Sequence, residues 1–323
     1  MVEIKEITIM TDCALSIIIP HFDIPDLLDR LLRTIPTISE IQVIVVDDNS
    51  LKGLERLEEV VQDRKKSGQK LELYTNETGM RSAGTCRNIG LEHAKGKWVL
   101  FADADDFFLD GWYEKVRKYF ETEYEVVFFL PTGACEEGNL NYDPAKLRAD
   151  QVRAWLSQPS LNNELQLRYN YFVPWSKLIQ KNFINKYQIE FEQVKYGNDV
   201  MFSAKCGFYF QRFFVSEESI YCYLWRENNL STIPDPKNYD IRMRGKIRWL
   251  SFLFSHLTVE EINALGLNIA PFALLREARR REDVKQYVGE YYHTMRSLNL
   301  PLLNWRFYIK HPVQTAFKLN RVK

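Results

Sequence analysis

Neither sign of charge is in excess in this sequence, because its 323 residues include 43 lysines and arginines and 43 aspartates and glutamates. Domains that bind nucleic acid usually carry a basic excess on the surface that faces the phosphates. We therefore expect no nucleic-acid partner. The balance is uneven along the chain, since residues 240–323 carry a net charge of +8 and the remainder carries −8.

Cysteine is scarce and scattered. The five cysteines are Cys13, Cys86, Cys135, Cys206 and Cys222. None of them forms a CxxC pair, so their spacing argues against a disulfide framework and against a cysteine-based zinc site. This pattern predicts small, mostly buried side chains in a reducing compartment.

Long apolar runs are also missing. No uninterrupted run approaches the roughly 20 residues that a membrane-spanning helix needs. Residues 1–12 carry charges throughout, unlike a signal peptide. We expect a cytoplasmic protein that is either soluble or peripheral on the inner face of the membrane.

Glycine is absent from the loop where many nucleotide-binding proteins need it. The first predicted strand ends in PHFD at residues 20–23, and the chain has neither a Walker-A loop nor a GxGxxG fingerprint. This absence argues against a dehydrogenase and against a sugar nucleotidyltransferase, which needs a glycine-rich loop at this point. An EF-hand starting at Asp103 is excluded, because Phe107 and Phe108 occupy its fifth and sixth positions.

Alternating strands and helices fill the amino-terminal part of the chain. Apolar runs predict strands at residues 15–20, 41–46, 71–74, 97–102 and 125–130. Apolar residues at helical spacing predict helices at residues 24–35, 51–66, 83–94 and 112–120. This alternation predicts an α/β fold with a mostly parallel sheet, in which ligands bind at the carboxyl ends of the strands.

The pattern changes after residue 131. Further helices are predicted at residues 147–156, 239–256, 258–264, 271–281 and 283–297. The segment 233–237, IPDPK, contains two prolines and predicts a boundary between domains.

Three acidic clusters end predicted strands, at residues 20–23, 47–50 and 103–106, and the fold brings all three to one rim of the sheet. Asp103 and Asp105 alternate after a buried strand and offer the oxygen ligands that Mg²⁺ or Mn²⁺ prefers. Such a cation would neutralise a diphosphate leaving group. A solvated turn that caps the next helix is the alternative interpretation of this motif.

Two other strand ends carry candidate ligands. The Asp48 carboxylate could accept hydrogen bonds from a ribose or a base, or could cap a helix. Arg81 and Arg87 lie in and after the loop that follows the third strand, where a guanidinium can pair with phosphate oxygens.

Five ordered segments carry a resemblance to a known family. They are LSIIIPHFD at 15–23, IVVDDNS at 44–50, CRNIG at 86–90, AKGKW at 94–98 and LFADADD at 100–106. Together they resemble the amino-terminal domain of family 2 inverting glycosyltransferases of the GT-A fold. The resemblance is strong over residues 14–130 and continues more weakly to 232. It implies a catalytic domain at 1–232, with a nucleotide-sugar-binding half at 14–130 and an acceptor-side half at 131–232, followed by a helical carboxyl-terminal region at 233–323.

The resemblance also implies roles on the donor side. Pro20, Phe22 and Asp23 would line the pocket for the base, and Asp48 would contact the uracil or another base. Asp103 would face the ribose, and Asp105 would ligate the metal on the diphosphate, with Asp103 as the second carboxylate of the metal site. The remaining donor-binding residues on this interpretation are Ala104, Arg81, Arg87 and Arg226. Asp23 and Cys86 depart from the asparagine and alanine that are usual in the family.

On the acceptor side, the segments WSKL at 175–178, FE at 191–192 and GNDVMF at 197–202 are similar to family segments. The family carries a Glu-Asp pair where this chain has Asn198-Asp199, and the resemblance makes Asp199 the general base. Asp199 would deprotonate the acceptor hydroxyl, whose attack from the side opposite the nucleotide inverts the anomeric configuration. The alternative is that Asp199 caps a helix beginning at Val200. Arg226 would reach the donor diphosphate or an anionic acceptor.

The expected function is therefore transfer of a sugar from a nucleotide-sugar, UDP-linked, to a saccharide or lipid-linked acceptor in surface polysaccharide synthesis, such as capsule or lipopolysaccharide, with Mn²⁺ or Mg²⁺ as cofactor. The alternatives are a sugar nucleotidyltransferase and a non-catalytic nucleotide-sugar-binding protein. The basic, aromatic stretch 300–323 predicts either peripheral membrane contact or a docking helix.

Overall fold

Seven strands form the central sheet of this computed structural model, which describes residues 13–135, 145–226, 236–267 and 284–298. The strands of the chain are β1 (Leu15–His21), β2 (Ile41–Asp47), β3 (Lys70–Thr75), β4 (Trp98–Phe101), β5 (Phe107–Phe108), β6 (Val126–Phe128), β7 (Thr132–Cys135), β8 (Lys177–Gln180), β9 (Phe213–Val215) and β10 (Tyr221–Trp225). The order in the central sheet is β3-β2-β1-β4-β8-β6-β9.

Helices cover both faces of this sheet and form the carboxyl-terminal region. They are α1 (Pro25–Arg33), α2 (Leu54–Lys66), α3 (Ala83–His93), α4 (Trp112–Arg117), α5 (Lys146–Ser157), α6 (Leu161–Tyr169), α7 (Lys181–Lys186), α8 (Asn198–Tyr209), α9 (Pro236–His256), α10 (Val259–Ala264) and α11 (Val284–Ser297). The predicted helix at 271–281 and the basic stretch 300–323 lie outside the described residues.

The amino-terminal half of the sheet is parallel, as predicted. β1 pairs in parallel with β2 and β4, and β2 pairs in parallel with β3. β8 is antiparallel to both β4 and β6, so it joins the parallel half of the sheet to β6 and β9. A second, three-stranded sheet in the order β5-β10-β7 lies over the carboxyl end of β4. The sheet is therefore mixed and mostly parallel.

The apolar runs of the first strands are continuous because both faces of the sheet are covered. Ile17 and Ile19 pack into a core under α1 and α2, whereas Ile18 packs into a core on the other face with Phe101 and Phe202. A third apolar cluster joins α6 and α8 to α9, α10 and α11. Within the described residues, no helix has the length and hydropathy that crossing a membrane requires.

Several helix starts differ from the sequence prediction for local reasons. Helix α2 begins at Leu54 rather than at Leu51, because Gly53 takes a left-handed φ of 69° just before it. The segment 233–237, predicted as a boundary, overlaps α9, which begins at Pro236. Proline suits the first turn of a helix. Helix α8 begins at Asn198 after Gly197, which has a φ of 69°.

Candidate active site

A buried histidine and aspartate join the carboxyl ends of β1 and β2. His21 Nδ1 lies 2.8 Å from Asp47 Oδ1, and both side chains are buried. The backbone N–H of Ile24 donates to His21 Nε2, so Nδ1 carries the proton and donates to the carboxylate. Burial acts to raise the pKa of Asp47, but hydrogen bonds from His21 and Ser50 hold that pKa below its usual value. The sequence prediction missed this pair, which fixes the loops that carry the neighbouring site residues.

Asp48 faces away from the helix that it was considered to cap. Its Oδ1 accepts a 2.6 Å hydrogen bond from Asn76 Nδ2, and the Cys86 thiol is a further hydrogen-bond partner. Burial raises the pKa of Cys86 well above its usual value, and the charge of Asp48 adds to this effect. Helix α2 receives no side-chain cap. The interpretation of Asp48 as a helix cap is therefore wrong, and its carboxylate is oriented by neighbours from two other elements.

The loop after β1 places Phe22 at the surface and turns Asp23 inward toward the loop after β2. Asp23 has a left-handed φ of 56°, and its Oδ1 accepts hydrogen bonds from the backbone N–H groups of Leu51 and Lys52. Phe22 is 40% exposed, with the Arg81 guanidinium 5.8 Å from its ring centre. Asp23 thus shapes the rim of the predicted base pocket. Phe22 and Arg81 form its open edge, next to Pro20 at the end of β1.

The three carboxylates of residues 103–106 have different environments. Asp106 is fully buried, and its two oxygens accept hydrogen bonds from Tyr221 Oη (2.7 Å) and from the backbone N–H of Leu224 (2.8 Å). Burial raises the pKa of Asp106 well above its usual value. Tyr221 Oη also accepts from the backbone N–H of Asp103 at 2.8 Å. Asp106 therefore anchors the loop to β10, while Asp103 and Asp105 are partly exposed on either side of the buried Ala104.

Asp103 and Asp105 each pair with one arginine. Arg87 Nη2 lies 2.6 Å from Asp103 Oδ1, and Arg226 Nη2 lies 2.6 Å from Asp105 Oδ2. Burial raises the pKa of Asp105, the charge of Asp103 adds to this, and Arg226 opposes it. In each carboxylate the second oxygen accepts no hydrogen bond from a side chain of the described residues. Both residues thus keep an oxygen for a further ligand.

These two oxygens are hard ligands of the kind that a divalent cation prefers. No group of three or more histidine, cysteine, aspartate or glutamate side chains in the described part of the chain could hold a metal ion. A cation at Asp103 and Asp105 would therefore take its other ligands from phosphate oxygens and water, as Mg²⁺ commonly does. The mutual repulsion that raises the pKa of Asp105 would be relieved by such a cation.

Asp199 lies in the first turn of α8, one residue after the helix begins. It is not the N-cap, because Gly197 holds that position, so the capping alternative is wrong. No side chain of the described residues donates a hydrogen bond to its carboxylate. Burial raises the pKa of Asp199, Arg87 and Lys177 oppose this, and Asp103 adds to it. A carboxylate with a raised pKa is better matched to proton abstraction near neutral pH than an ordinary aspartate.

Arg87 connects the donor and acceptor sides. Its side chain is buried, its Nη2 pairs with Asp103, and its Nη1 donates to Asn198 Oδ1 at 2.8 Å. The guanidinium also lies 5.3 Å from the ring centre of Phe191. The amino end of α3 approaches closely, since a methyl group on Gly84 would lie 2.4 Å from the Glu192 carbonyl oxygen. One guanidinium therefore joins Asp103, predicted for the donor, to Asn198, the residue before the predicted base.

Comparison with known proteins gives one family. The model described as "Glycosyl transferase family 2" matches residues 16–213. The uncharacterized glycosyltransferase EpsJ of Bacillus subtilis is 25% identical over 252 residues, which are 75% of this chain and 70% of EpsJ. The GalNAc(5)-diNAcBac-PP-undecaprenol β-1,3-glucosyltransferase of Campylobacter jejuni is 30% identical over 132 residues, which are 39% of this chain and 40% of that protein.

Two solved structures share the fold. The Staphylococcus aureus TarS fragment 1–349 in complex with UDP-GlcNAc aligns with a TM-score of 0.59 at 20% identity, covering 87% of this chain and 91% of TarS 1–349. The mannosyltransferase PcManGT from Pyrobaculum calidifontis in complex with GDP-Man and Mn²⁺ aligns with a TM-score of 0.55 at 15% identity, covering 95% and 84% of the two chains. The likeness confirms the GT-A architecture that the sequence resemblance implied.

Proposed function

Because this chain belongs to glycosyl transferase family 2, we propose that it is a metal-dependent, inverting glycosyltransferase that uses a UDP-sugar. The observation that carries this proposal is the position of Arg87, whose guanidinium contacts Asp103 on the donor side and Asn198, the neighbour of Asp199, on the acceptor side. Donor carboxylates and a candidate base thus lie on either side of one buried cation.

The donor site is built from the strand ends. Asp48, held by Asn76, is placed to accept a hydrogen bond from the imide N–H of a uracil, and Phe22 offers a ring face at the open edge of the pocket. Arg81 and Arg226 are the cations that would pair with the expected diphosphate. TarS in complex with UDP-GlcNAc supports a UDP-sugar, whereas PcManGT in complex with GDP-Man makes a guanine donor the competing possibility.

The chemistry follows from charge placement. Asp103 and Asp105 would hold a Mn²⁺ or Mg²⁺ ion, which would supply positive charge to the diphosphate leaving group. Asp199 takes the proton of the acceptor hydroxyl, so that the hydroxyl oxygen attacks the anomeric carbon from the side opposite the nucleotide. Arg226, freed from Asp105, pairs with a phosphate oxygen of the departing nucleotide. One carboxylate on the acceptor side suffices for inversion.

The acceptor is a saccharide or a lipid-linked saccharide in surface polysaccharide synthesis. The names of three relatives support this class: the undecaprenol-linked glucosyltransferase of Campylobacter jejuni, the poly(ribitol-phosphate) transferase TarS, and the amylovoran biosynthesis protein AmsB of Erwinia amylovora. Residues 131–232 form the acceptor-side half on this proposal. The helical region from residue 233 carries the peripheral membrane contact that the basic stretch 300–323 predicts.

The test is turnover with a panel of nucleotide-sugars. Release of UDP in the presence of Mn²⁺, abolished by EDTA and by Asp199→Asn, is the expected result. Pyrophosphate formation from UTP and a sugar phosphate would instead identify a sugar nucleotidyltransferase. Donor binding without turnover in any acceptor mixture would identify a non-catalytic protein. Persistence of the full rate in EDTA would overturn the metal role, and a fully active Asp199→Asn would overturn the role of the base.

A further inference from the structure

Lys177 is a buried cation that no carboxylate touches. Its side chain lies in β8, and the residue is 3% exposed. The ammonium donates to the Tyr171 carbonyl oxygen at 2.8 Å and to Ser203 Oγ at 3.1 Å. Among the described residues no carboxylate lies within ion-pair distance of it. A buried, unpaired ammonium is costly, so its retention calls for a physical explanation.

The surroundings compensate for this cost only in part. The ammonium lies 5.0 Å from the ring centre of Tyr171 and 5.8 Å from that of Phe128, which gives weak cation–π stabilisation. The Ser203 hydroxyl in turn donates a hydrogen bond to the Phe172 carbonyl oxygen. Burial nevertheless lowers the pKa of Lys177 to about 7.

The position of Ser203 relates Lys177 to the candidate base. Ser203 follows Asp199 by four residues in α8, so the two side chains lie on the same face of the helix, one turn apart. Lys177 therefore contacts the second turn of α8, on the face of the helix that carries the Asp199 side chain. The Asp199 carboxylate raises the pKa of Lys177, and Lys177 in turn lowers the pKa of Asp199.

We propose that Lys177 is a positioning residue for the general base: its hydrogen bond to Ser203 holds the amino-terminal half of α8 against β8, and its charge lies on the face of α8 that carries the Asp199 carboxylate. The inference rests on the proposed role of Asp199. Other charged or titratable groups act on the same pair from neighbouring elements: Arg87 in α3, Asp103 after β4, Arg148 in α5, Tyr171 before β8 and Cys206 in α8. Arg87 is also hydrogen-bonded to α8, through Asn198, but its guanidinium pairs with Asp103, whereas Lys177 contacts no carboxylate of the described residues.

The experiment measures the titration of Asp199 directly, without substrate. The full chain is labelled with ¹³C at aspartate side-chain carboxyls, and the Asp199 resonance is assigned by its loss in Asp199→Asn. In Lys177→Met the titration midpoint should rise by about one pH unit, because a nearby cation is lost. Lys177→Gln separates the loss of the charge from the loss of the hydrogen bond, since the glutamine amide can still donate to the Tyr171 carbonyl oxygen. An equal rise in this variant is expected, and a wild-type midpoint would overturn the proposal.

Lys181 provides the matched control. It directly follows β8, is partly buried and donates to the Ala94 carbonyl oxygen, and it is not among the main charges that shift the pKa of Asp199. Lys181→Met should leave the Asp199 midpoint unchanged, and an equal rise there would overturn the specific role of Lys177. If neither Lys177 variant folds, the reciprocal measurement decides. Asp199→Asn should lower the midpoint of the Lys177 ¹⁵Nζ resonance, and no change would contradict the coupling.

The failure of this inference is distinguishable from failure of the proposed function. A fully active Asp199→Asn would remove Asp199 as the base, whatever the midpoints show. An inactive Asp199→Asn together with an unshifted midpoint in Lys177→Gln would leave the base in place and reject the role of Lys177.

Discussion

Arg87 Nη2 and Asp103 Oδ1 form a 2.6 Å ion pair beneath the rim of the sheet, with the arginine side chain 6% exposed and the aspartate side chain 28% exposed. The same guanidinium reaches Asn198 at the start of α8. A single buried cation therefore couples the loop after β4 to the helix that carries Asp199, and several consequences can be measured.

Removal of Arg87 should destabilise the fold as well as the site. Arg87→Met leaves Asp103 and Asn198 without their shared donor, and breaking a buried ion pair costs about 3 kcal/mol of unfolding free energy. Urea denaturation measures this loss. Arg33→Met is the matched control, because Arg33 is 62% exposed and its pair with Asp29 should contribute less than about 0.5 kcal/mol. Equal effects for the two variants would contradict a structural role for the buried pair.

Gly84 sets the approach of α3 to the acceptor side. In Gly84→Ala the new methyl group would meet the Glu192 carbonyl oxygen and the Asn198 side chain. We expect a loss of about 1–3 kcal/mol in stability and reduced turnover, because backbone must move at a close-packed position. Gly289→Ala in α11 meets no atom within 4 Å, and should be neutral or slightly stabilising. Thermal unfolding of both variants checks the contrast.

The His21–Asp47 pair should make stability depend on acid pH. The pKa of Asp47 is lowered in the folded state, so its stabilisation is present above the ordinary aspartate value of 3.8 and is lost as pH falls through the lower folded value. Asp47→Asn should cost about 2 kcal/mol at pH 7, and the difference from wild type should shrink in strong acid. Urea denaturation between pH 2 and 7 follows this change. Asp26→Asn, at a side chain that is 79% exposed, should show little effect at any pH, and a pH-independent loss in Asp47→Asn would contradict the assignment.

Tyr221 Oη anchors the acidic loop at residues 103–106 through two hydrogen bonds. Tyr221→Phe removes the donor to Asp106 and the acceptor of the Asp103 N–H, and should cost about 1–3 kcal/mol because two buried polar groups lose their partner. Tyr292→Phe is the control, since Tyr292 is 40% exposed. Chemical denaturation that finds equal stability for both variants would reject this anchoring role.

The parallel half of the fold was predictable because its strands are covered on both faces. The runs at β1, β2 and β4 are therefore continuous and easily recognised in the sequence. The acceptor side was not predictable in the same way. β8 begins with the buried Lys177, and the strands of the small sheet are only two to five residues long. Neither alternation nor a long apolar run marks such strands.

The site shows a similar division. Asp103, Asp105 and Asp199 were predicted from the ordered segments, and the structure joins Asp103 through Arg87 to Asn198, the residue before Asp199. His21, Asp47 and Asp106 were missed as structural anchors. Adjacent carboxylates look alike in a sequence, and whether Asp47 or Asp48 turns inward depends on the register of β2 with β1, which places Asp47 beside His21.

The most direct test of the account is the effect of Mn²⁺ on UDP binding, measured by isothermal titration calorimetry with wild type and Asp105→Asn. Two carboxylate oxygens and the diphosphate are expected to share the cation, so Mn²⁺ should tighten UDP binding by at least roughly tenfold in the wild type. Asp105→Asn should lose most of this gain. Equal dissociation constants in Mn²⁺ and in EDTA for the wild type would contradict a cation seated on Asp103 and Asp105.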